Sequence, residues 1–167
     1  MSSRAPAECA ILIVEDDAAI RRLVRMVLER IGYKVDVAAD GVEAVLKMGL
    51  VEFDVIVLDL MMPNLDGFGL LKAMRDTGLA DTTRTVILTC KVDDADVVRG
   101  LELGAHEYLG KPFDPDRLAG VLRRVLDSTA EALADRRRAQ LDKAALRDRI
   151  EAALARPRRR AGSFSGP

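Results

Sequence analysis

The stretch Val55-Ile56-Val57-Leu58-Asp59-Leu60-Met61-Met62-Pro63-Asn64-Leu65-Asp66-Gly67 decides how this chain is read. Four consecutive β-branched or aliphatic residues suit a strand buried on both faces, the environment of a parallel sheet. Asp59 ends that run. Open α/β sheets bind ligands outside the carboxyl ends of their strands, which is where this acid falls. Burying a lone carboxylate is costly, so Asp59 needs a metal ion, a cation or a reaction to perform. The alternative is a solvated aspartate that only ends a strand, and the flanking segments weigh between the two.

Upstream, Ala10–Val14 reads as another buried strand. Ile20, Leu23, Val24, Val27, Leu28 and Ile31 then recur at helical spacing, and Gly32 stops that helix. Lys34–Ala38 alternates like an edge strand, and Asp40 suits the N-cap of a helix carrying Val42, Ala44, Val45 and Met48. Downstream come a helix around residues 68–75, a strand over residues 85–89, and a weaker helix opened by Asp93 or Asp94 and running through Leu103. A very short strand over residues 107–109 follows. Pro115 suits the first turn of a last helix with Leu118, Val121, Leu122, Val125 and Leu126 on one side. Five strands alternating with five helices predict an α/β fold, a five-stranded parallel sheet covered on both faces with right-handed crossovers. Periodicity alone does not fix the strand order.

The 167 residues are 49% hydrophobic and 32% charged, enough for a proper core and a solvated surface. A net charge of −1 gives no overall bias toward nucleic acid or an anionic membrane. Cys9 and Cys90 show no paired or metal-binding spacing and suit a reducing cytosol. No run approaches the length of a transmembrane helix, and residues 1–9 lack the apolar stretch of a signal peptide. They read as a disordered leader to a cytoplasmic protein. Residues 130–167 hold 10 basic and 5 acidic residues, a net of +5, against 16 and 22, a net of −6, before them. The expected division is a domain over residues 10–127, a helical extension over 128–156 and a disordered basic tail over 157–167. Pro157 ends the Ala-, Arg- and Leu-rich helix.

Glu15, Asp16 and Asp17 close the first strand, on the same sheet edge as Asp59. Converging carboxylates repel, and proteins relieve them with raised pKa values or a hard divalent cation such as Mg²⁺. Glu15 and Asp16 suit the metal, whereas Asp17 suits the N-cap of the first helix. Thr89 ends the fourth strand with a hydroxyl that can donate to an anion. Lys111 follows the fifth, in Gly110-Lys111-Pro112-Phe113, with an ammonium that can reach a phosphoryl oxygen. Each signal alone is weak. Their conjunction at four strand ends is specific.

From about Ala10 to Asp127 the chain resembles the receiver domain of two-component response regulators, the CheY-like family. The resemblance rests on Ile11-Leu12-Ile13-Val14-Glu15-Asp16-Asp17, the Asp59 segment above, Leu88-Thr89, and Gly104-Ala105-His106-Glu107-Tyr108-Leu109-Gly110-Lys111-Pro112-Phe113. It implies the flavodoxin-like strand order 2-1-3-4-5. It implies that Asp59 is the phosphoacceptor, phosphorylated by a histidine kinase or a histidine phosphotransfer protein. Mg²⁺ would be held by Glu15, Asp16, Asp59 and the backbone carbonyl of Met61. Thr89 and Lys111 would hold the phosphoryl group, the Lys111–Pro112 bond would be cis, and Tyr108 would be the aromatic switch. The fourth helix, fifth strand and fifth helix would present the switched state to a downstream protein. On this reading the chain catalyses only its own phosphorylation and dephosphorylation.

Three positions depart from the commonest pattern. Cys90 stands where a small alanine is frequent and reads as a buried small hydrophobe. Met61 and Lys91 fall where the family tunes water access to the phosphate. His106, the single histidine, reads as solvated. An aspartyl phosphatase fits poorly, since Met61 stands where such enzymes want a second acid. Residues 130–167 are too few for a DNA-reading domain with its own core, and their apolar residues keep no sustained heptad. Three readings of the tail stay open: a helical extension docking on a partner or a second copy in a homodimer, a basic arm for nucleic acid, or a solvated helix with a disordered end. Protein–protein output is preferred, with nucleic-acid binding through the basic tail as the alternative function.

Overall fold

The computed structural model describes residues 5–79, 82–90 and 94–155. Strands β1 (Ala10–Val14), β2 (Lys34–Ala38), β3 (Val55–Leu58), β4 (Arg84–Thr89) and β5 (Glu107–Gly110) form one parallel sheet in the order β2-β1-β3-β4-β5. Helices α1 (Ala18–Ile31), α2 (Gly41–Met48), α3 (Gly67–Asp76), α4 (Asp94–Glu102) and α5 (Pro115–Asp127) link and follow them, and α6 (Ala130–Ala155) ends the described chain. Alternation along each strand builds two cores. Leu12, Val14, Ile56, Leu58 and Ile87 point to one face, with Met48, Phe68 and Leu70 of α2 and α3. Ile11, Ile13, Val55, Val57 and Leu88 point to the other, with Val24 and Leu28 of α1 and Leu118 and Leu122 of α5. The unbroken apolar run of β3 reflects this two-sided burial, and its register Val14↔Leu58 against β1 sets the acids after both strands side by side.

Caps stand where the side chains predict them. Asp17 Oδ1 accepts from the backbone N–H groups of Ala19 (2.8 Å) and Ile20 (3.0 Å), Asp40 Oδ1 accepts from Glu43 (2.9 Å), and Gly32 ends α1 at φ 108°. One expectation needs correction. Of the supposed leader, Pro6–Glu8 forms a 3₁₀ turn, and Cys9 is buried with its carbonyl accepting from Lys34 N–H. Burial of Cys9 against the α1–α5 core draws these residues into the fold. The expected C-terminal helical extension is present as α6, which begins after a break at Ser128. Ser128 is extended, at ψ 146°, and the Arg84 guanidinium donates to the carbonyls of Leu126 (2.9 Å) and Ser128 (2.8 Å). Those bonds satisfy carbonyls at the end of α5 and redirect the chain. Residues 157–167, read as a disordered tail, lie outside the described residues.

The loop after Asp59 returns closely over its own start. A Cβ at Gly67 would lie 2.5 Å from the Asp59 carbonyl oxygen and 2.7 Å from Leu60 Cα. Both obstacles are backbone and cannot swing aside. Gly67→Ala is expected to cost about 1–3 kcal/mol in urea unfolding, the usual price of overpacking. An unchanged unfolding midpoint would contradict the close approach.

Candidate functional site

Three acids meet at the carboxyl edge of the sheet. Glu15 and Asp16 follow β1 and Asp59 follows β3, and one carboxylate oxygen from each lies within 4.8 Å of the other two. Glu15 is 2% exposed and Asp59 6%, while Asp16 faces solvent. Lys111, after β5, donates to Asp59 Oδ2 at 3.2 Å and to Glu15 Oε2. Three carboxylates and one ammonium leave the cluster with a formal charge of −2. At about 5 Å and an effective dielectric of about 20, each carboxylate pair repels by about 3 kcal/mol.

The protonation preferences follow from this crowding. Burial pushes Glu15 above the ordinary carboxylate value, further than its hydrogen bond with Lys111 pulls it down, and the Asp59 charge adds to the rise. Burial pulls Lys111 downward, but the Glu15 hydrogen bond and the Asp59 charge outweigh it and hold the ammonium above its usual value. Lys111 thus stays charged, and burial disfavours the charged form of Glu15. The Arg21 guanidinium donates to the backbone carbonyls of Glu15 (2.6 Å) and Asp16 (3.1 Å), fixing the loop after β1. Sequence reasoning missed Arg21, because a contact to a carbonyl leaves no signature in residue type.

Thr89 supplies the other sign of polarity. Its Oγ1 is fully buried and has no hydrogen-bond partner among the described residues. A buried orphan hydroxyl is expensive, so this one fits a missing acceptor oxygen. Thr89 pairs with Gly110, and its carbonyl accepts from Lys111 N–H at 2.8 Å, so hydroxyl and ammonium arise from adjoining strand ends. The all-oxygen donor set and the −2 charge fit a hard divalent cation such as Mg²⁺. Met61 donates its N–H to Asp59 Oδ1 at 3.3 Å and exposes its side chain.

The remaining candidates fall as follows. The Lys111–Pro112 bond is cis. Tyr108 is half-buried on β5, on the same face as Ile87 and Thr89 of β4. His106 is not solvated as expected. It is half-buried, its Nδ1 accepts from Thr85 N–H at 3.1 Å, and burial, with Arg137 and Arg84 nearby, pushes its pKa down to about 4. It is a neutral structural acceptor at the base of β4 and β5. Cys90 is exposed rather than buried, because the chain leaves the sheet in a bend there. Lys91 lies outside the described residues.

A family model described as the response regulator receiver domain matches residues 11–123. The chain belongs to that family. As a receiver it is 42% identical over 121 residues to the transcriptional regulatory protein ResD of Bacillus subtilis, covering 70% of this chain and 49% of that one. It is 42% identical over 118 residues to the transcriptional regulatory protein TrcR of Mycobacterium tuberculosis, covering 68% and 45%. The receiver therefore spans about half the length of these curated relatives. Among solved structures, the chemotaxis protein CheY4 of Vibrio cholerae superposes with a TM-score of 0.67 at 38% identity, over 70% of this chain and 98% of that one. The beryllofluoride-activated DrrB receiver domain gives 0.64 at 30% identity, over 72% and 98%. The strand order implied by resemblance is the one observed. Glu15, Asp16 and Asp59 form the acidic cluster typical of a receiver Mg²⁺ site. A receiver is a signalling module rather than a conventional enzyme, and receivers partner histidine kinases. No helix among the described residues is long and apolar enough to cross a membrane.

Proposed function

We propose that the chain is a phosphorylation switch in which Asp59 accepts a phosphoryl group from a histidine kinase or a histidine phosphotransfer protein. The observation behind this reading is the meeting of a buried Asp59, a charged Lys111 and the orphaned Thr89 hydroxyl beside Glu15 and Asp16. An Asp59 carboxylate oxygen attacks phosphorus in line. The new O–P bond forms as the P–N bond to the phosphohistidine breaks, and the imidazole leaves with the electron pair. Lys111 offsets charge on the transferred oxygens, and Thr89 Oγ1 donates to one of them. Glu15, Asp16, Asp59 and the Met61 carbonyl would hold Mg²⁺, which supplies charge neutralisation at the phosphoryl oxygens when bound. Water attack at the same phosphorus later regenerates the carboxylate.

Phosphorylation adds charge and acceptor oxygens, favouring the conformer in which Thr89 and Tyr108 are drawn toward the phosphate. The output is a change of protein-binding surface around α4, β5 and α5, in a cytoplasmic setting that suits two cysteines not joined in a disulfide. The alternative, nucleic-acid output through the tail, has no specific observation behind it. Arg136 and Arg147 are spent on acidic partners, and Arg158, Arg159 and Arg160 lie outside the described residues.

Intact-protein mass spectrometry after incubation with Mg²⁺ and acetyl phosphate tests the reading. One phosphoryl adduct is expected, lost with EDTA and lost in Asp59→Asn. A folded wild-type chain that takes up no phosphoryl group, or an Asp59→Asn chain that does, contradicts it.

A further inference from the structure

We propose that α6 is the resident occupant of the α4–β5 face, and that phosphorylation at Asp59 loosens it through Tyr108, so that a downstream protein must compete with the chain's own helix. The phosphorylation half rests on the function proposed above. The occupancy half stands on geometry alone.

The exit from α5 aims the helix. Arg84 holds the carbonyls of Leu126 and Ser128, Ser128 is extended, and Thr129 Oγ1 accepts from Ala132 N–H at 3.1 Å as an N-cap. Along α6, Leu133 is buried, and Arg137, Gln140, Leu141 and Ala144 are half-buried, at spacings that keep them on one side of a helix. Charge is complementary across the contact. Asp94 and Glu107 sit on α4 and β5, and Arg147 and Arg136 of α6 pair with them respectively, the second at 3.6 Å. Arg147 and Asp94 are exposed, whereas Arg136 is half-buried beside a Glu107 side chain that is 13% exposed, so the pairs fix the register of docking and add to its strength.

The fit is incomplete, which makes it reversible. Only Leu133 is fully buried on α6 among the described residues, and a cavity of about 520 Å³ remains between the helix and the receiver. Val97, Val98 and Leu101 of α4, Tyr108 of β5 and Ala144 of α6 line it. Tyr108 is therefore both a wall of the α6 contact and a neighbour, on one sheet face, of the orphaned Thr89 hydroxyl. Drawing its ring toward Thr89 would withdraw apolar surface from under α6 and deepen the cavity. A state that binds α6 less well is, by linkage, a state that α6 disfavours. Unmodified receiver and docked α6 stabilise one another. Phosphoryl group and free face do the same.

Hydrogen exchange followed by mass spectrometry on the full chain tests both halves, with intact mass reporting the Asp59 adduct in the same samples. Acetyl phosphate with Mg²⁺ should accelerate exchange over residues 133–148 by about tenfold, with no acceleration in Asp59→Asn. A chain carrying Arg136→Glu and Arg147→Glu should show the same acceleration unmodified, since each glutamate then faces an acid. It should also reach half-modification at about threefold less acetyl phosphate. Arg138→Glu with Arg149→Glu makes the same charge change at exposed positions and should leave exchange as in the wild type. An adduct with unchanged α6 protection overturns the coupling to phosphorylation. Unchanged protection in the Arg136→Glu, Arg147→Glu chain overturns the occupancy. Absence of any adduct overturns the proposed function, and with it the coupling, while the charge-reversed chain still decides the occupancy.

Discussion

Lys111→Met is expected to slow phosphorylation of Asp59 by about 10²–10³-fold and to destabilise the ion-free chain at neutral pH by about 3 kcal/mol. Methionine keeps the reach and apolar stem of the lysine and removes only the ammonium, so the effect is one of charge. The Lys111 side chain is 6% exposed and touches two carboxylates, Glu15 at 2% and Asp59 at 7%. Without it, Glu15 and Asp59 keep their mutual repulsion and lose the cation that offsets it. The stability loss should shrink as pH falls, because Glu15, already raised by burial, takes up a proton before an ordinary glutamate would. Mg²⁺ should restore stability, since it neutralises the same cluster. It should not restore the rate, since the ammonium acts on the phosphoryl oxygens themselves. Urea unfolding with and without Mg²⁺, beside a quenched time course of adduct mass, separates the two effects. A rate within about threefold of wild type would remove Lys111 from the chemistry.

What the residues made legible was whatever depends on local pattern. The two-sided burial of β3 is written in its four apolar residues, and Asp17, Asp40, Gly32 and Pro115 mark helix ends by chemistry that acts within one turn. Glu15, Asp16 and Asp59 were placed together because parallel strands put their carboxyl ends on one edge. Contacts made across many residues were not legible. Arg84 reaches carbonyls 42 and 44 residues away, and a carbonyl belongs to no residue type. The course of α6 was hidden for a related reason. Its leucines are scattered round the helix, and its contact is made by one buried leucine, half-buried alanine and glutamine, and an Arg147–Asp94 pair 53 residues apart. His106 misled because its flanking residues suggested a rim. Burial there depends on the Thr85 N–H that it satisfies.

Mg²⁺ at about a hundred times its dissociation constant is expected to stabilise the wild-type chain by about 2.7 kcal/mol at neutral pH, and this gain should fade as the solution is acidified. The direction follows from Glu15. Its carboxyl is raised in the folded chain above the unfolded value of 4.5, so the folded state holds that proton more tightly. The stability it contributes is full below about pH 4.5 and is lost as pH rises through the elevated folded value. Metal binding needs the same carboxylate deprotonated, so its contribution grows over that window. Curves measured in Mg²⁺ and in EDTA should therefore diverge from about pH 4.5 upward. Aspartates with depressed values, such as Asp17, Asp36 and Asp40, lose stability as pH falls in both media and cancel in the difference. Glu15→Gln removes the cause. That chain should be more stable than wild type in EDTA at neutral pH, and most of the Mg²⁺ increment should be gone. Asp16→Asn, at an exposed acid, should lose the increment without that gain, because no buried charge is relieved. Thermal or urea unfolding across pH in the two media is the measurement, and parallel curves for the wild type would mean that the three acids do not act as one cation site.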